Sequence, residues 1–280
     1  MGCCGASQTN EESSRNALKG GSGKGGILTT GGDLENELAS SGISPESIKY
    51  YGADIKSGVM KVGKVEYIKT DPQKNNFSST MNITAEYVNK KDTAIMNYNH
   101  EAKFINVKEI RDFCNLYLEN EQIPFNFEYN FPKEGKFNFK FQFKIALLNT
   151  SNMFFGCKTL QTLDLSNFNA KFIQNMNSMF YGCVNLEQLN LSNFDTSHAI
   201  TMSNMFAYCS SLKTLDCSSF KTTNVTTMTN MFQGCSGLVD LNLKNFTSEN
   251  ITFMEGIFDG VKVKNCKITC NDKKILAEFK

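Results

Sequence analysis

The stretch MFYGCVNLEQLNLSNF, residues 179–194, is repeated with small changes both before and after itself. Copies begin at Met153, Met179, Met205 and Met231, each 26 residues after the last, and a degenerate copy begins at Ile257. Self-similarity at a fixed period of roughly 20 to 50 residues is typical of a solenoid, in which each unit buries its apolar face only by stacking on its neighbours. The sequence therefore predicts an α/β solenoid of four units that match the repeat well and a fifth, degenerate unit.

Equivalent positions of the units carry the same apolar residues, which identifies the side chains expected to point inward. These positions hold Cys157, Cys183, Cys209 and Cys235; Leu160, Leu186, Leu212 and Leu238; Leu163, Leu189, Leu215 and Leu241; Leu165, Leu191, Cys217 and Leu243; and Phe168, Phe194, Phe220 and Phe246. A methionine three residues before each Met-Phe pair has the spacing of neighbours on one helix face, which predicts a short helical turn such as residues 176–181. The Leu-x-Leu segment predicts a short strand that alternates between core and surface.

The repeat pattern MFxGCxxLxxLDLSNFDT is similar to that of the BspA-like leucine-rich repeat family, a variant of the leucine-rich repeat solenoid. The resemblance covers about residues 151–262, and within that span four columns agree over four units. It implies an interaction or surface-associated protein of the kind found in bacteria and unicellular eukaryotes, without a shared catalytic residue. The resemblance implies binding and names no ligand.

If the strands stack in register, the residues that flank the leucines form an exposed polar face. This predicted protein-binding face consists of Thr162, Asp164, Ser166, Gln188, Asn190, Ser192, Thr214, Asp216, Ser218, Asp240, Asn242 and Lys244. Four strands about 4.8 Å apart would make a face roughly 15 to 20 Å across, which suits a peptide or the edge of a protein. The alternative is that these side chains only keep the sheet soluble.

The N-terminal residues MGCCGAS resemble a site for dual acylation. Gly2 would be exposed for myristate after removal of Met1, and Cys3 and Cys4 are available for palmitate, although Ala6 stands where the usual pattern has Ser or Thr. One myristoyl chain gives only marginal membrane attachment, so a second anchor is needed. Residues 1–26 have a net charge of only +1, which makes palmitate the expected second anchor. The alternative is a chance cysteine pair in a terminal segment.

The remaining chain divides by composition into further segments. Residues 1–32 form the N-terminal segment with a Gly-rich linker. Residues 33–120 predict a small α+β module, or else an extended cap, with strands at 59–68 and 80–88 and a helix over 106–118. Alternating aromatic residues on either side of Pro132 predict a β-hairpin in residues 121–150 that covers the first repeat. An exposed aromatic strip for partner binding is the alternative interpretation of these residues. Residues 263–280 are expected to form the C-terminal cap.

Several function classes are disfavoured by what the sequence contains. The chain has 29 basic and 28 acidic residues, which gives no electrostatic case for nucleic-acid binding. The repeat cysteines fall at a core position, and the two histidines, His100 and His198, are isolated, so neither a metal nor a cofactor is expected. No paired catalytic carboxylates and no nucleophile or dinucleotide motif can be singled out, so we predict no enzymatic activity.

These observations together predict a lipid-anchored protein-interaction module on the cytoplasmic face of a membrane. The sequence has no apolar run of signal-peptide length and no stretch of about 18 apolar residues, so neither standard secretion nor a membrane span is expected. A cell-surface adhesin is one alternative, and it would use the sugar-acceptor motifs at Asn224, Asn245 and Asn250. A structural component of a membrane-linked assembly is the other alternative.

Overall fold

The structure is a computed structural model that describes residues 48–50, 65–69, 79–87, 94–96, 107–133 and 135–280. The acylation candidates Gly2, Cys3 and Cys4 and the linker through residue 32 lie outside the described residues. The described ranges comprise the repeats, their C-terminal end and parts of the chain that precedes them.

Twelve strands and two short α-helices make up the described regular structure. The strands are β1 (Ile48–Tyr50), β2 (Val65–Lys69), β3 (Ser79–Tyr87), β4 (Cys114–Leu118), β5 (Glu121–Ile123), β6 (Gly135–Phe143), β7 (Ile145–Leu147), β8 (Leu160–Asp164), β9 (Gln188–Asn190), β10 (Thr214–Asp216), β11 (Asp240–Leu243) and β12 (Lys267–Cys270). The helices are α1 (Val107–Phe113) and α2 (Lys273–Ala277), and a 3-10 helix spans Val263–Asn265. The strands form three sheets, of order β1-β2-β7, β5-β4-β6-β3-β8-β9 and β10-β11-β12.

Successive repeats are bonded to one another by their backbones. Strand β8 pairs in parallel with β9, and β10 with β11, with each partner 26 residues further along the chain. A second parallel ladder of single bridges joins Asn149, Asn175, Thr201, Thr227 and Phe253. Strands β9 and β10 belong to different sheets, so the strand pairing is interrupted between them. The ladder of single bridges continues across this interruption. The single-bridge ladder thus joins every pair of neighbouring units, and strand pairing adds a second connection wherever it is present.

The predicted helical turn before each strand is instead a run of hydrogen-bonded turns. In the second unit Met179 N–H donates to Met176 O at 3.3 Å, and both methionines are buried, as the three-residue spacing predicts. Ser178 has φ of 54° and Gly182 has φ of 71°, both in the left-handed region. A right-handed helix requires negative φ throughout, so two left-handed residues so close together exclude it. The structure therefore corrects the predicted unit of strand plus helix to a unit in which consecutive turns precede the strand.

Phenylalanine rings from successive units form a continuous column in the core. Phe154, Phe180, Phe206, Phe232 and Phe258 stack with ring centroids 5.5 to 5.8 Å apart and nearly parallel planes. All but the last have no measurable solvent exposure. Because an aromatic side chain buries roughly 150 to 250 Å², this column supplies a large part of the apolar area that holds the units together.

The cysteine column has a hydrogen-bonding role in addition to its packing role. The Cys183 thiol donates to the Phe154 carbonyl oxygen, with 3.0 Å between sulfur and oxygen. Cys209 and Cys235 make the same contact with the preceding unit, to Phe180 O and Phe206 O. A small side chain with a weak donor therefore fits this buried position better than an aliphatic residue would.

The repeats continue into an antiparallel sheet on their N-terminal side. Strand β3 lies between β6 and β8 and pairs with both, and β4 pairs with the other edge of β6. Strands β2 and β3 overlap the two strands predicted from the sequence. The predicted helix over 106–118 ends at Phe113, and the rest of that segment is β4, because pairing with β6 buries Cys114 and Leu116.

The predicted aromatic hairpin is replaced by a strand with a packed aromatic segment. Residues 124–131 contain no strand, and β6 takes its sheet partners from β3 and β4. Rings of the segment lie against rings of β6, including Tyr129 against Phe139 at 5.3 Å and Phe131 against Phe137 at 5.0 Å. Phe143, at the end of β6, contacts Phe168 of the first repeat at 6.0 Å. The aromatic residues therefore contribute to the core next to the first repeat.

The C-terminal segment adds one more strand to the parallel arrangement. Strand β12 pairs with β11 so that Ile268 faces Leu241 and Cys270 faces Leu243. The step between these partners is 27 residues, so one extra residue shifts the register that a strict period of 26 would give. Asp272 then caps helix α2, since its carboxylate accepts from the Lys274 and Ile275 N–H groups.

Candidate functional site

A concave groove of about 760 Å³ runs across the four repeat strands. Its lining comes from β8, β9, β10 and β11 and from the residue that precedes β9. The groove is lined by Thr162, Leu163, Asp164, Glu187, Gln188, Leu189, Asn190, Thr214, Leu215, Asp216, Asp240 and Asn242. The leucines belong to the core columns, so the polar residues between and beside them are what the groove presents to solvent.

Eight of the twelve residues predicted for the binding face line this groove. They are Thr162, Asp164, Gln188, Asn190, Thr214, Asp216, Asp240 and Asn242. Alternation within the short strands places them on the face opposite the buried leucines. The exposed and half-buried states of these side chains agree with that placement, with Gln188 and Thr214 among the exposed ones.

The other four predicted face residues do not line the groove. They are Ser166, Ser192, Ser218 and Lys244. In each unit the backbone N–H at this position donates to the side-chain oxygen two residues earlier, as Ser166 does to Asp164 Oδ1 at 2.9 Å and Ser218 does to Asp216 Oδ1 at 2.8 Å. These bonds turn the chain at the end of the strand. This column is therefore outside the groove lining, although Ser192 and Lys244 are exposed.

The Asp and Asn column therefore has a structural role as well as an exposed position. Asn190 and Asn242 make the same contact to the N–H groups of Ser192 and Lys244, at 3.1 Å each. Asp and Asn alternate along the column, and both supply an Oδ1 acceptor of the same shape. The alternation consequently leaves the turn unchanged and alters only the charge that faces the groove.

Glu187 is a groove residue that the sequence pattern did not identify. It immediately precedes β9, outside the Leu-x-Leu alternation, and its Oε1 accepts from Gln161 Nε2 at 3.5 Å. With Asp164, Asp216 and Asp240 it makes four carboxylates along the groove, and no lysine or arginine is among the lining residues. The groove is therefore acidic although the whole chain is nearly neutral.

The buried thiols of the repeats are chemically unreactive. Burial raises the pKa of Cys183 and Cys209 well above the ordinary value for a thiol, and burial raises the pKa of Cys235 to about 12. The nucleophilic and metal-binding form of cysteine is the thiolate, which is scarce at neutral pH in such positions. The column is thus suited to packing and hydrogen bonding.

Other candidate groups in the described residues also point to structure. His198 is buried, and its imidazole lies 5.7 Å from the ring of Phe172. Within the described ranges no three His, Cys, Asp or Glu side chains are gathered closely enough to hold a metal ion. None of the helices in the described part of the chain has the length and apolar character needed to cross a membrane.

The asparagines of the three sugar-acceptor motifs hold neighbouring units together. The side-chain amides of Asn224, Asn245 and Asn250 donate to backbone carbonyls of the preceding unit at 2.6 to 2.7 Å, with Ser197, Ser218 and Thr223 as acceptors. Their recurrence follows from this inter-repeat contact.

Comparison with known families gives one match, which covers the repeat region. Residues 148–271 match the family described as "Mycoplasma protein of unknown function, DUF285". The match spans less than half of the chain and is consistent with the resemblance to BspA-like repeats. It includes all four strands of the groove, together with β12, and says nothing about the N-terminal Gly-Cys-Cys motif. No curated protein and no solved structure matches the chain.

Proposed function

We propose that this chain is a non-enzymatic protein-interaction module whose repeats form a solenoid and whose groove holds a protein partner. The single observation that carries the proposal is the concave groove across β8 to β11, lined by eight of the polar residues that repetition brings to one face. Ligand sites are usually concave, with a few polar groups that fix orientation.

The groove has dimensions that suit a segment of polypeptide. Four strands are separated by three steps of about 4.8 Å, so the groove is roughly 14 Å long across the strands. An extended segment covers that distance in about four or five residues. The core columns behind the face keep the strands rigid, which lowers the cost of ordering the site on binding.

The N-terminal motif would determine where in the cell the proposed module acts. Myristate on Gly2 and palmitate on Cys3 or Cys4 would hold the chain at the cytoplasmic face of a membrane, because two acyl chains give stable attachment where one does not. Anchoring would then raise the local concentration of whatever the groove holds. The proposed function is therefore recruitment of a protein to a membrane surface.

Two parallel experiments test the two parts of this proposal. Cells that express the chain are given azide-tagged myristate and fractionated, and the wild type is compared with Gly2→Ala and with Cys3→Ser/Cys4→Ser. We expect labelled protein in the membrane fraction for the wild type, no label for Gly2→Ala, and labelled but soluble protein for the double serine variant. An unlabelled, soluble wild type would contradict the anchor.

The groove is tested by proximity labelling of its neighbours in the same cells. Gln188→Arg/Thr214→Arg fills the groove with two long side chains at exposed strand positions. The matched control is Thr223→Arg/Thr226→Arg, at positions outside the groove lining. We expect a specific set of labelled proteins to be lost with the first variant and kept with the second. Equal labelling by both variants would show that the groove does not hold the partner.

A further inference from the structure

The charge of the groove restricts what can occupy it. Its four carboxylates, on Asp164, Glu187, Asp216 and Asp240, are spread along the strands and do not converge on one point. The ion pair found between Lys221 and Asp195, at 3.2 Å, involves none of them. The groove therefore offers acceptors and negative charge with no cation among its lining residues.

Cationic residues lie at both ends of this acidic stretch. On one side Asn82 of β3 pairs with Asp164 and also with Lys140 of β6, so Lys140 stands two strands beyond the groove on the same face. On the other side Lys267 of β12 pairs with Asp240. Lys140 lies over the ring of Tyr117 at 5.7 Å. Lys213 directly precedes β10, at the position equivalent to Glu187 in the preceding unit, and is not among the lining residues. The charged side chains that line the groove itself are all acidic.

We propose that the groove binds a short basic segment of a partner protein, laid across strands β8 to β11. This inference rests on the proposed protein-binding function and adds the chemistry of the partner. Charge complementarity is what selects the partner, since an acidic segment in the groove would place like charges side by side, which disfavours binding. A metal ion is a poorer occupant, because no three of the described carboxylates converge as its ligands.

The spacing of the aspartates adds a preference for one backbone conformation. Asp164 and Asp216 occupy the same column two strands apart, roughly 10 Å at about 4.8 Å per step. In a polyproline II segment every third residue returns to the same side after about 9.3 Å. Lysine or arginine at every third position would therefore meet successive aspartates. The interaction is predicted to weaken as salt is added, because exposed charge pairs are screened.

The column supplies its own isosteric charge variants. Asp164→Asn/Asp216→Asn removes two charges and keeps the Oδ1 acceptor that Asn190 and Asn242 already provide at equivalent positions. Asn190→Asp/Asn242→Asp adds two charges by the reverse change. The matched control is Glu249→Gln/Asp259→Asn, which removes two charges outside the groove. All three pairs are expected to fold like the wild type.

The test is binding of three fluorescent peptides to the full chain, measured by anisotropy at low and at physiological salt. The peptides have the repeating sequences Lys-Ser-Ser, Gln-Ser-Ser and Glu-Ser-Ser. We expect only the lysine peptide to bind, with affinity lowered roughly two- to thirtyfold by the double asparagine variant, as two exposed ion pairs imply. The double aspartate variant is expected to tighten binding, and the control variant to leave it unchanged.

The outcomes separate this inference from the function on which it rests. Binding of the glutamine or glutamate peptide as tightly as the lysine peptide, lost with Gln188→Arg/Thr214→Arg, would overturn the basic partner and keep the groove as a peptide site. Lysine-peptide binding that is equal in the double asparagine and double aspartate variants would also overturn the inference. Absence of binding by all three peptides would overturn it as well, and the proximity-labelling comparison would then decide the protein-binding function alone.

Discussion

Replacement of Phe206 by alanine tests whether the ring column holds the repeats together. The ring has no measurable exposure and stacks at 5.5 Å on Phe180 and at 5.7 Å on Phe232. Truncation of a buried phenylalanine costs about 3 to 5 kcal/mol. Three aromatic contacts, the two stacked ones and a tilted one to Phe220 at 6.4 Å, are lost with it, and such contacts are each worth about 0.5 to 1.5 kcal/mol. We therefore expect a loss of stability at the upper end of that range, about 5 kcal/mol.

The assay is urea unfolding followed by circular dichroism, with Phe253→Ala as the matched control. Phe253 is a phenylalanine of the same repeat region that is 45% exposed, so its truncation is expected to change stability by only about 0.5 kcal/mol. With a slope of about 2.5 kcal/mol per M, Phe206→Ala should lower the midpoint by about 2 M. Equal midpoints for the two variants would refute the continuous buried column.

Three further predictions concern glycine packing, acid stability and thiol reactivity. Gly237→Ala should destabilise more than Gly182→Ala in thermal unfolding, because a Cβ at Gly237 would lie 2.2 Å from the Ser210 carbonyl oxygen. A Cβ at Gly182 would lie 3.8 Å from Gly156 Cα, so the cost there comes from the left-handed φ alone, and equal losses for the two variants would contradict the Ser210 contact. Burial raises the pKa of Asp272, but hydrogen bonds from Ile275, Ser248 and Lys274 outweigh it and hold the pKa below its ordinary value. Its stabilisation should be full above about pH 4 and lost as pH falls further, and Asp272→Ala should flatten this part of the melting temperature profile. Cys235, with a pKa of about 12, should react with iodoacetamide only after unfolding, as mass spectrometry of the labelled peptides would show, and rapid labelling of the native chain would contradict its burial.

Much of the repeat geometry could be predicted because repetition turns single residues into columns. The Leu-x-Leu segments do form β8 to β11, and the methionine, cysteine and phenylalanine columns are buried. The three-residue spacing of methionines correctly placed them on the inside. It did not distinguish a helix from consecutive turns. The deciding feature is a left-handed residue directly before each Met-Phe pair, and Asn152, Asn204 and Asn230 hold that position in three of the four units. Asparagine adopts this conformation more readily than most residues, but the methionine spacing alone does not contain that signal.

Other features depended on pairings between distant segments. One extra residue precedes β12, so a strict period of 26 places Lys267, and not Ile268, at the leucine position. For that reason the repeat pattern did not identify β12 as a further strand. The aromatic segment alternates like a strand, but β3 and β4 occupy the edges of β6 that it would need. Local alternation cannot show which of several segments pairs with a given edge of a sheet. The same limit explains why Glu187, just outside the alternating pattern, was missed.

Tyr208 shows a position where one repeat departs from the others. It stands where other units have Gly156, Gly182 and Gly234, and it keeps their left-handed conformation with φ of 63°. Its ring is 42% exposed and lies at 5.3 Å from Tyr181, edge to face. The ring contacts offset part of the strain that a side chain suffers in this conformation. Repeat positions therefore tolerate exceptions where a neighbouring contact stabilises them.

The central claim is that the groove, and no other side of the repeats, contacts the partner. Its most direct test is photocrosslinking in cells from a benzophenone side chain placed at Gln188 in the groove or at Thr226 outside it, both exposed positions. We expect a discrete adduct from position 188 that is weaker in the Asp164→Asn/Asp216→Asn background, and none from position 226. The same adduct from both positions, or an adduct from position 226 alone, would contradict the claim.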